Sequence, residues 1–192
     1  ERIGTVDVIG KSGIRTIVCD ARHHTSGLPG APDTLTEADR QRLDRNLNWL
    51  GEAGQQRITQ THIALCGLGG LGAEVMKNCR GLGIKHYTLI DMDRVEISNM
   101  NRLPYPATSV GKYKVEVARD FLLEAVPDAE VIVINRPVEH PTAQEALLRA
   151  DLIVNSLDDD GARLSTQILA ARHLIPLLDL GSGIALKAGH RE

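Results

Sequence analysis

From residue 62 onward the chain alternates short apolar runs with amphipathic helical stretches, and this alternation constrains its fold more than any other feature. "HIALCG" reads as a buried strand, "GAEVMKNCRGLG" as a helix closed by a glycine cap, and "HYTLIDMD" as the next strand. "KYKVEVARDFLLEAVP" is an amphipathic helix with Val115, Ala118, Phe121, Leu122 and Ala125 on one face and Pro127 beyond its end. Strand "EVIVIN", helix "PTAQEALLRA", strand "DLIVNSL", helix "GARLSTQILAARHL" and strand "IPLLDLGSG" complete the series. Strands that are apolar almost throughout, each followed by a helix, belong in a parallel sheet covered on both faces. The expected class is α/β: a Rossmann-like, doubly wound, mostly parallel sheet.

The residues before this unit read differently. "VDVIGKSGIRTIVCDA" suggests two short strands around a glycine turn, and "RHHTSGLPGAPDT" a linker. "TLTEADRQRLDRNLNWLGEAGQQRI" is helical, with Thr36 as N-cap, Asp39 three residues later, and Leu43, Leu47 and Leu50 at helical spacing. Gly51 and Gly54 are expected to break that helix. The organisation expected is a strand-rich segment and linker over 1–34, a helical N-terminal extension over 35–55, and a nucleotide-binding domain over 56–192. Because the chain starts without Met and stops just after a strand, it is expected to be part of something longer, truncated at its C-terminus.

Composition removes several classes of function. Net charge is -3 and aromatics make up only 3% of residues, so neither a phosphate-binding basic footprint nor a base-stacking platform is expected. No apolar run reaches the length of a membrane span and no signal-peptide pattern opens the chain. Cys19, Cys66 and Cys79 are scattered, without a CxxC pair, which argues against a disulfide framework or a local zinc site. A reducing compartment, the cytoplasm, is the expectation.

Gly67, Gly69 and Gly72 form a G-x-G-x-x-G turn, with Gly70 inside it, that follows a strand and opens a helix. The first glycine permits the tight turn, the second lets backbone approach a phosphate, and the third lets helix pack on strand. The helix end then offers free N–H groups and a positive dipole end to an anion. Asp91 ends the second strand about twenty residues later, where a carboxylate accepts hydrogen bonds from ribose hydroxyls. Up to this point NAD and ATP read alike, and a turn kept only for packing is the bland alternative.

The connection after Asp91 separates them. "DMDRVEISNMNRLPYPATSVGKYKVEVA" is long and polar, and it lies at the carboxyl ends of the strands, where ligands bind in such sheets. It carries Asp93, Asn99, Asn101 and Arg102, then Lys112 and Lys114, of which only one need face phosphate. Cations gathered there suit a triphosphate whose charge must be neutralised as it reacts. "NSLDDDGAR" places Asp158, Asp159 and Asp160 on the same rim, where a carboxylate can hold Mg²⁺ beside phosphate oxygens. Asp158 is expected to face the ligand, and Asp159 or Asp160 to cap the following helix.

These four stretches, "GLGGLG", "DMDRVEISNMNR", "GKYKVEVARD" and "LDDDGAR", resemble in order and spacing the ThiF/MoeB/HesA adenylyltransferases, which share their fold with ubiquitin-activating enzymes. The resemblance covers roughly residues 45 to 183. It implies ATP- and Mg²⁺-dependent adenylylation of a carboxylate, most often the C-terminal Gly-Gly of a ubiquitin-like or sulfur-carrier protein. By position it assigns Asp91 to ribose, Asn99, Arg102 and Lys114 to the phosphates, and Asp158 to the metal. It further implies a homodimer in which an arginine before the first strand reaches the partner's ATP: Arg45, with Arg42 in reserve. Trp49 then reads as core or dimer contact. Two positions depart from the family pattern, Leu103 where Gln often follows the motif arginine and Asp159 where Asn commonly follows the metal aspartate. The family's zinc-binding CxxC pairs and thioester cysteine would lie beyond residue 192. Cys66 and Cys79, inside a strand and a helix, read as core. Alternatives are an NAD(P)-dependent oxidoreductase, adenylation of a small-molecule or tRNA-linked carboxylate, and a non-catalytic partner subunit.

Overall fold

A computed structural model describes residues 35–182 in full and residues 2–10 and 13–21 as backbone. The linker reading of 22–34, and everything past 182, lies outside the described residues. Strands β1 (Arg2–Gly10) and β2 (Gly13–Ala21) pair antiparallel, Gly10 opposite Gly13, as the glycine turn between them suggests.

The main body is a five-stranded sheet of β3 (His62–Cys66), β4 (His86–Ile90), β5 (Glu130–Ile134), β6 (Leu152–Asn155) and β7 (Leu177–Asp179), in the order β5-β4-β3-β6-β7 with every neighbouring pair parallel. Helices α3 (Gly70–Leu82), α4 (Lys114–Ala125), α5 (Pro141–Leu147) and α6 (Asp160–His173) supply the crossovers. Period-two geometry divides each central strand between two cores. Ile63 and Leu65 face Met76, Val115, Ala118 and Leu122, whereas Ala64 and Cys66 face Ala143, Leu147, Leu169 and Ala170. Both sets are buried, and each Leu or Ile so enclosed contributes about 1.5–3 kcal/mol. From β3 the chain winds out through β4 to β5, then crosses back to β6. The connections leaving the carboxyl ends of the paired strands β3 and β6 therefore run in opposite directions, opening the crevice in which such sheets bind ligands.

The segment before β3 is helical for longer than the glycines suggest. Helix α1 (Glu37–Arg42) is followed, after Leu43, by α2 (Asp44–Gln60). Gly51 does interrupt α2, at φ 69° and ψ 170°, but Gly54 sits inside the continuing helix. The reason is tertiary: beyond Gly51 the fully buried Gln55 donates from Nε2 to the Leu82 carbonyl at 2.8 Å, holding these turns against the end of α3. Gly83, which caps α3 at φ +88°, has no room for a Cβ because Leu43 Cδ1 lies 2.7 Å from where it would stand.

Thr36 and Asp39 form the expected capping box. Asp39 also reaches Lys85, a buried cation 2.7 Å from its Oδ2 that meets Asp128 at 2.6 Å on the other side. Burial alone would push the Asp39 carboxyl up, but Lys85 and Thr36 outweigh it and hold it down at about 2. A folded-state pKa below the unfolded value gives stability that is present above about pH 4 and is lost as pH falls toward 2. Asp39→Asn should therefore cost about 2 kcal/mol at pH 7 and nearly nothing at pH 2, moderated because Asp128 still pairs Lys85. Urea midpoints of both proteins between pH 2 and 7 check this; parallel curves would refute it.

Candidate functional site

The glycine turn lies at the sheet's switch point. Gly67 follows β3 at φ +85°, and a Cβ there would meet the Ser156 carbonyl oxygen at 2.9 Å. Gly72 is tighter still: its Cβ would fall 2.0 Å from the Gly67 carbonyl oxygen. In contrast, nothing lies within 4 Å of a Cβ on Gly69, so that backbone faces open space. Gly69 is also the N-cap of α3, and no side chain caps this helix. The first N–H groups of α3 are thus free of a side-chain acceptor and stand behind an opening, the arrangement that binds anions.

In front of the turn is a cleft of about 570 Å³. Its walls include Gly67, Gly69, Gly70, Asp91, Asp93, Arg102, Lys114 and Asp158, so the structure brings together most of the residues singled out from sequence. The long connection after β4 folds through two short 3₁₀ turns, Ile97–Asn99 and Ala107–Ser109, and returns as the start of α4. That return sets Lys114 beside the end of β4.

Asp91 is buried, yet it borders the cleft. Its Oδ2 accepts from Leu68 N at 2.7 Å and its Oδ1 from Asp93 N at 2.8 Å, so it braces both the glycine turn and its own connection. Burial raises its pKa, with the charge of Lys114 and the two backbone donors opposing. Lys114 Nζ lies 2.7 Å from Asp93 and 3.9 Å from Asp91. Lys112, by comparison, is exposed and does not line the cleft, so of the two lysines Lys114 is the one at its wall.

Arg102 lays its stem over Gly70, 3.2 Å from where a Cβ would be, and donates from Nη1 to the Ser98 carbonyl and Asn101 Oδ1. Asp159 caps α6 by accepting from Ala162 N at 2.8 Å. Asp158, one residue earlier, is exposed at the cleft and makes no hydrogen bond or ion pair among the described residues.

Three selected residues stand elsewhere. Asn99 is buried outside the cleft walls, its Oδ1 accepting from Glu96 N at 3.1 Å, so its side chain closes the first 3₁₀ turn. Gly72 packs helix against strand. Arg45 is exposed on α2, away from this chain's own cleft, while the reserve Arg42 is tied to Asp39 and the Arg80 carbonyl. Trp49, four residues after Arg45, is 71% exposed and so is not core. Burial pushes the Cys66 thiol up to about 12 and the Cys79 thiol to about 11, which leaves neither as a thiolate at neutral pH.

Sequence reading missed part of the cleft. Arg136 and Glu139, after β5, and Ser156, after β6, also line it. Their signal was positional only, since residues just past parallel strands face such crevices. Carboxylates in the walls outnumber cations by five to three. That balance disfavours a bare polyphosphate, and Asp158 is a cleft carboxylate with no partner among the described residues. No cluster of three or more metal-ligating side chains exists among the described residues.

Comparisons with known proteins agree with this geometry. The profile of the ThiF family matches residues 43–186. Ubiquitin-like modifier-activating enzyme 5 of Caenorhabditis elegans is 42% identical over 80 residues, which is 42% of this chain and 19% of that protein. The tRNA threonylcarbamoyladenosine dehydratase of Haemophilus influenzae is 30% identical over 127 residues, 65% of this chain and 49% of that one. The chain thus spans half or less of these relatives' length. The solved E. coli tRNA N6-threonylcarbamoyladenosine dehydratase in complex with ATP superposes with a TM-score of 0.71 at 28% identity, over 77% of this chain and 61% of that structure.

Proposed function

We propose, for a chain that belongs to the ThiF family, that the cleft binds ATP with Mg²⁺ and adenylylates a carboxylate, most often the C-terminal glycine of a ubiquitin-like or sulfur-carrier protein. The observation that carries this reading is one cleft holding four things: an uncapped helix N-terminus behind a glycine turn, Arg102, Lys114 and an unpaired Asp158. The substrate carboxylate attacks the α-phosphorus, a P–O bond forms, and the bond to pyrophosphate breaks. A carboxylate is already ionised at neutral pH, so no side chain need serve as base, and positioning with charge neutralisation carries the rate.

Each residue then has a task. The α3 N-terminus and Arg102 hold phosphate oxygens; Asp91 fixes the turn and borders the ribose position; Lys114 exchanges Asp93 for phosphate. Asp158 would hold Mg²⁺, which supplies neutralising charge on the phosphates. In a homodimer, Arg45 would complete the partner's site, and the exposed Trp49, one helical turn away on α2, would lie in that interface. An NAD(P)-dependent reading has no comparable support, because nothing in hydride transfer calls for these cations or for Asp158.

The likeness to a tRNA-modifying enzyme favours a second substrate class, a carboxylate carried on tRNA. One assay decides between them: ATP–pyrophosphate exchange with Mg²⁺, alone, with a carrier protein ending in Gly-Gly, and with tRNA bearing a carboxylate-modified base. Exchange that depends on the carrier is expected. Exchange driven by the tRNA alone would move the substrate to the second class, and preferential binding of NAD over ATP would overturn adenylylation itself.

A further inference from the structure

The geometry points to Arg163 as a positioning residue that sets Asp158 for the metal, an inference that rests on the reading of the cleft given above. Asp158 makes no hydrogen bond or ion pair among the described residues, so its place is decided by its chain neighbours, and the loop before it is held at several points. Asn155 Oδ1 accepts from Leu157 N at 3.4 Å, while Ser156 donates its backbone N–H to the Cys66 carbonyl at 2.8 Å and its hydroxyl to the Gly67 carbonyl at 2.9 Å. The Leu157 carbonyl, the last acceptor before Asp158, takes Nη1 of Arg163 at 3.0 Å. The same Nη1 reaches the Leu180 carbonyl at 2.9 Å, and Nη2 pairs with Asp179 at 2.9 Å. Arg163 starts in the first turn of α6 and is four-fifths covered. One guanidinium therefore joins the Asp158 loop to the end of β7, with the helix capped by Asp159 as its base.

Chemistry supports a specific need for arginine. A planar fork serves two carbonyls and a carboxylate at once, whereas a lysine ammonium on a flexible stem offers one point of charge without that fixed geometry. Gly181 fits the same plan, since a Cβ there would press on Nη2 at 3.2 Å. Nothing about Arg163 faces the cleft, so it acts on the metal only through the loop.

The test measures ATP affinity of the purified protein by calorimetric titration, with Mg²⁺ and with chelator, for wild type, Arg163→Lys, Arg163→Met, Asp158→Asn and the Arg163→Met/Asp158→Asn pair. Melting temperatures are recorded alongside. The Mg²⁺-dependent gain in affinity should fall roughly tenfold in both Arg163 variants, as losing a supporting partner costs a metal site, while metal-free ATP binding stays within about twofold. Asp158→Asn should remove the gain, and the double variant should be no worse. An unchanged gain in Arg163→Lys and Arg163→Met, an equal loss with and without Mg²⁺, or losses that multiply in the double variant would each overturn the inference. If Arg163→Met does not fold, Arg163→Lys carries the comparison. A wild type that binds no ATP overturns the reading of the cleft and this inference together, which separates that failure from one confined to Arg163.

Discussion

Gly72→Ala is expected to destabilise the protein by at least about 3 kcal/mol and to lower ATP affinity more than tenfold, although alanine is the better helix former by about 1 kcal/mol. The conflict is steric and involves main chain. The new Cβ would lie 2.0 Å from the Gly67 carbonyl oxygen and 2.6 Å from Ser156 Oγ. A carbon settles no nearer than about 3.3 Å to a carbonyl oxygen, so α3 would have to withdraw by about 1 Å from the end of β3. Neither obstacle yields easily. The Gly67 N–H is bonded to the Ile90 carbonyl at 2.9 Å, and the Gly67 carbonyl itself accepts from Ser156 Oγ at 2.9 Å. Withdrawal also moves the uncapped N-terminus of α3 away from the cleft, so stability and binding fall together. Gly69→Ala provides the contrast: a Cβ there meets nothing within 4 Å, and its stability should stay near wild type. Denaturant midpoints with ATP titrations on both variants decide the matter. A Gly72→Ala protein within about 1 kcal/mol of wild type would show that the turn adapts.

Why the turn was legible, and other parts were not, follows from the range of the forces involved. Gly67 and Gly72 advertise themselves because a left-handed φ at the first and a 2.0 Å approach at the second both call for glycine, so the requirement is written in residue type. The parallel, two-sided sheet followed from apolar runs alternating with helices, whereas the order of its strands came only with the structure. The second half of α2 was hidden because Gly51 and Gly54 look alike locally, and only Gln55 bonding to Leu82 shows that the helix resumes. Asn99 looked like a ligand group for the same reason in reverse: an exposed polar motif residue and a buried turn closer have the same letter, and the bond to Glu96 N appears only in three dimensions. Arg136 and Glu139 follow a strand whose carboxyl end had to be placed in the sheet before the two could be placed at the cleft. The residues that could be read from sequence were those whose requirement shows in residue type; the ones missed are fixed by the partner they meet in the folded chain, near for Asn99 and distant for Gln55.

Arg102→Ala should do what Gly72→Ala does not, and remove activity while leaving the fold intact. The side chain is exposed, and its two hydrogen bonds, to the Ser98 carbonyl and Asn101 Oδ1, stay within its own connection and both leave from Nη1. The strand-facing residue of that stretch is the neighbouring Leu103, which is buried, so truncating Arg102 opens no cavity in the core. A surface change of this kind moves stability by no more than about 0.5 kcal/mol. The remaining N–H donors are the ones available to phosphate, and the stem lies across Gly70 at the start of α3, where an anion would rest. As pyrophosphate departs, negative charge builds on the oxygens it carries, and a fixed guanidinium stabilises that charge more than it stabilises bound ATP. Losing such a donor costs about 2.7–4 kcal/mol of transition-state stabilisation, so exchange should fall roughly a hundred- to a thousandfold. Arg102→Lys should recover little, because the fork that spans two oxygens is gone while the net charge is unchanged. ATP–pyrophosphate exchange, run with whichever carboxylate substrate supports it, and melting temperature together test this. Exchange within tenfold of wild type in Arg102→Ala would take Arg102 out of the reaction and leave the phosphates to Lys114 and the helix end.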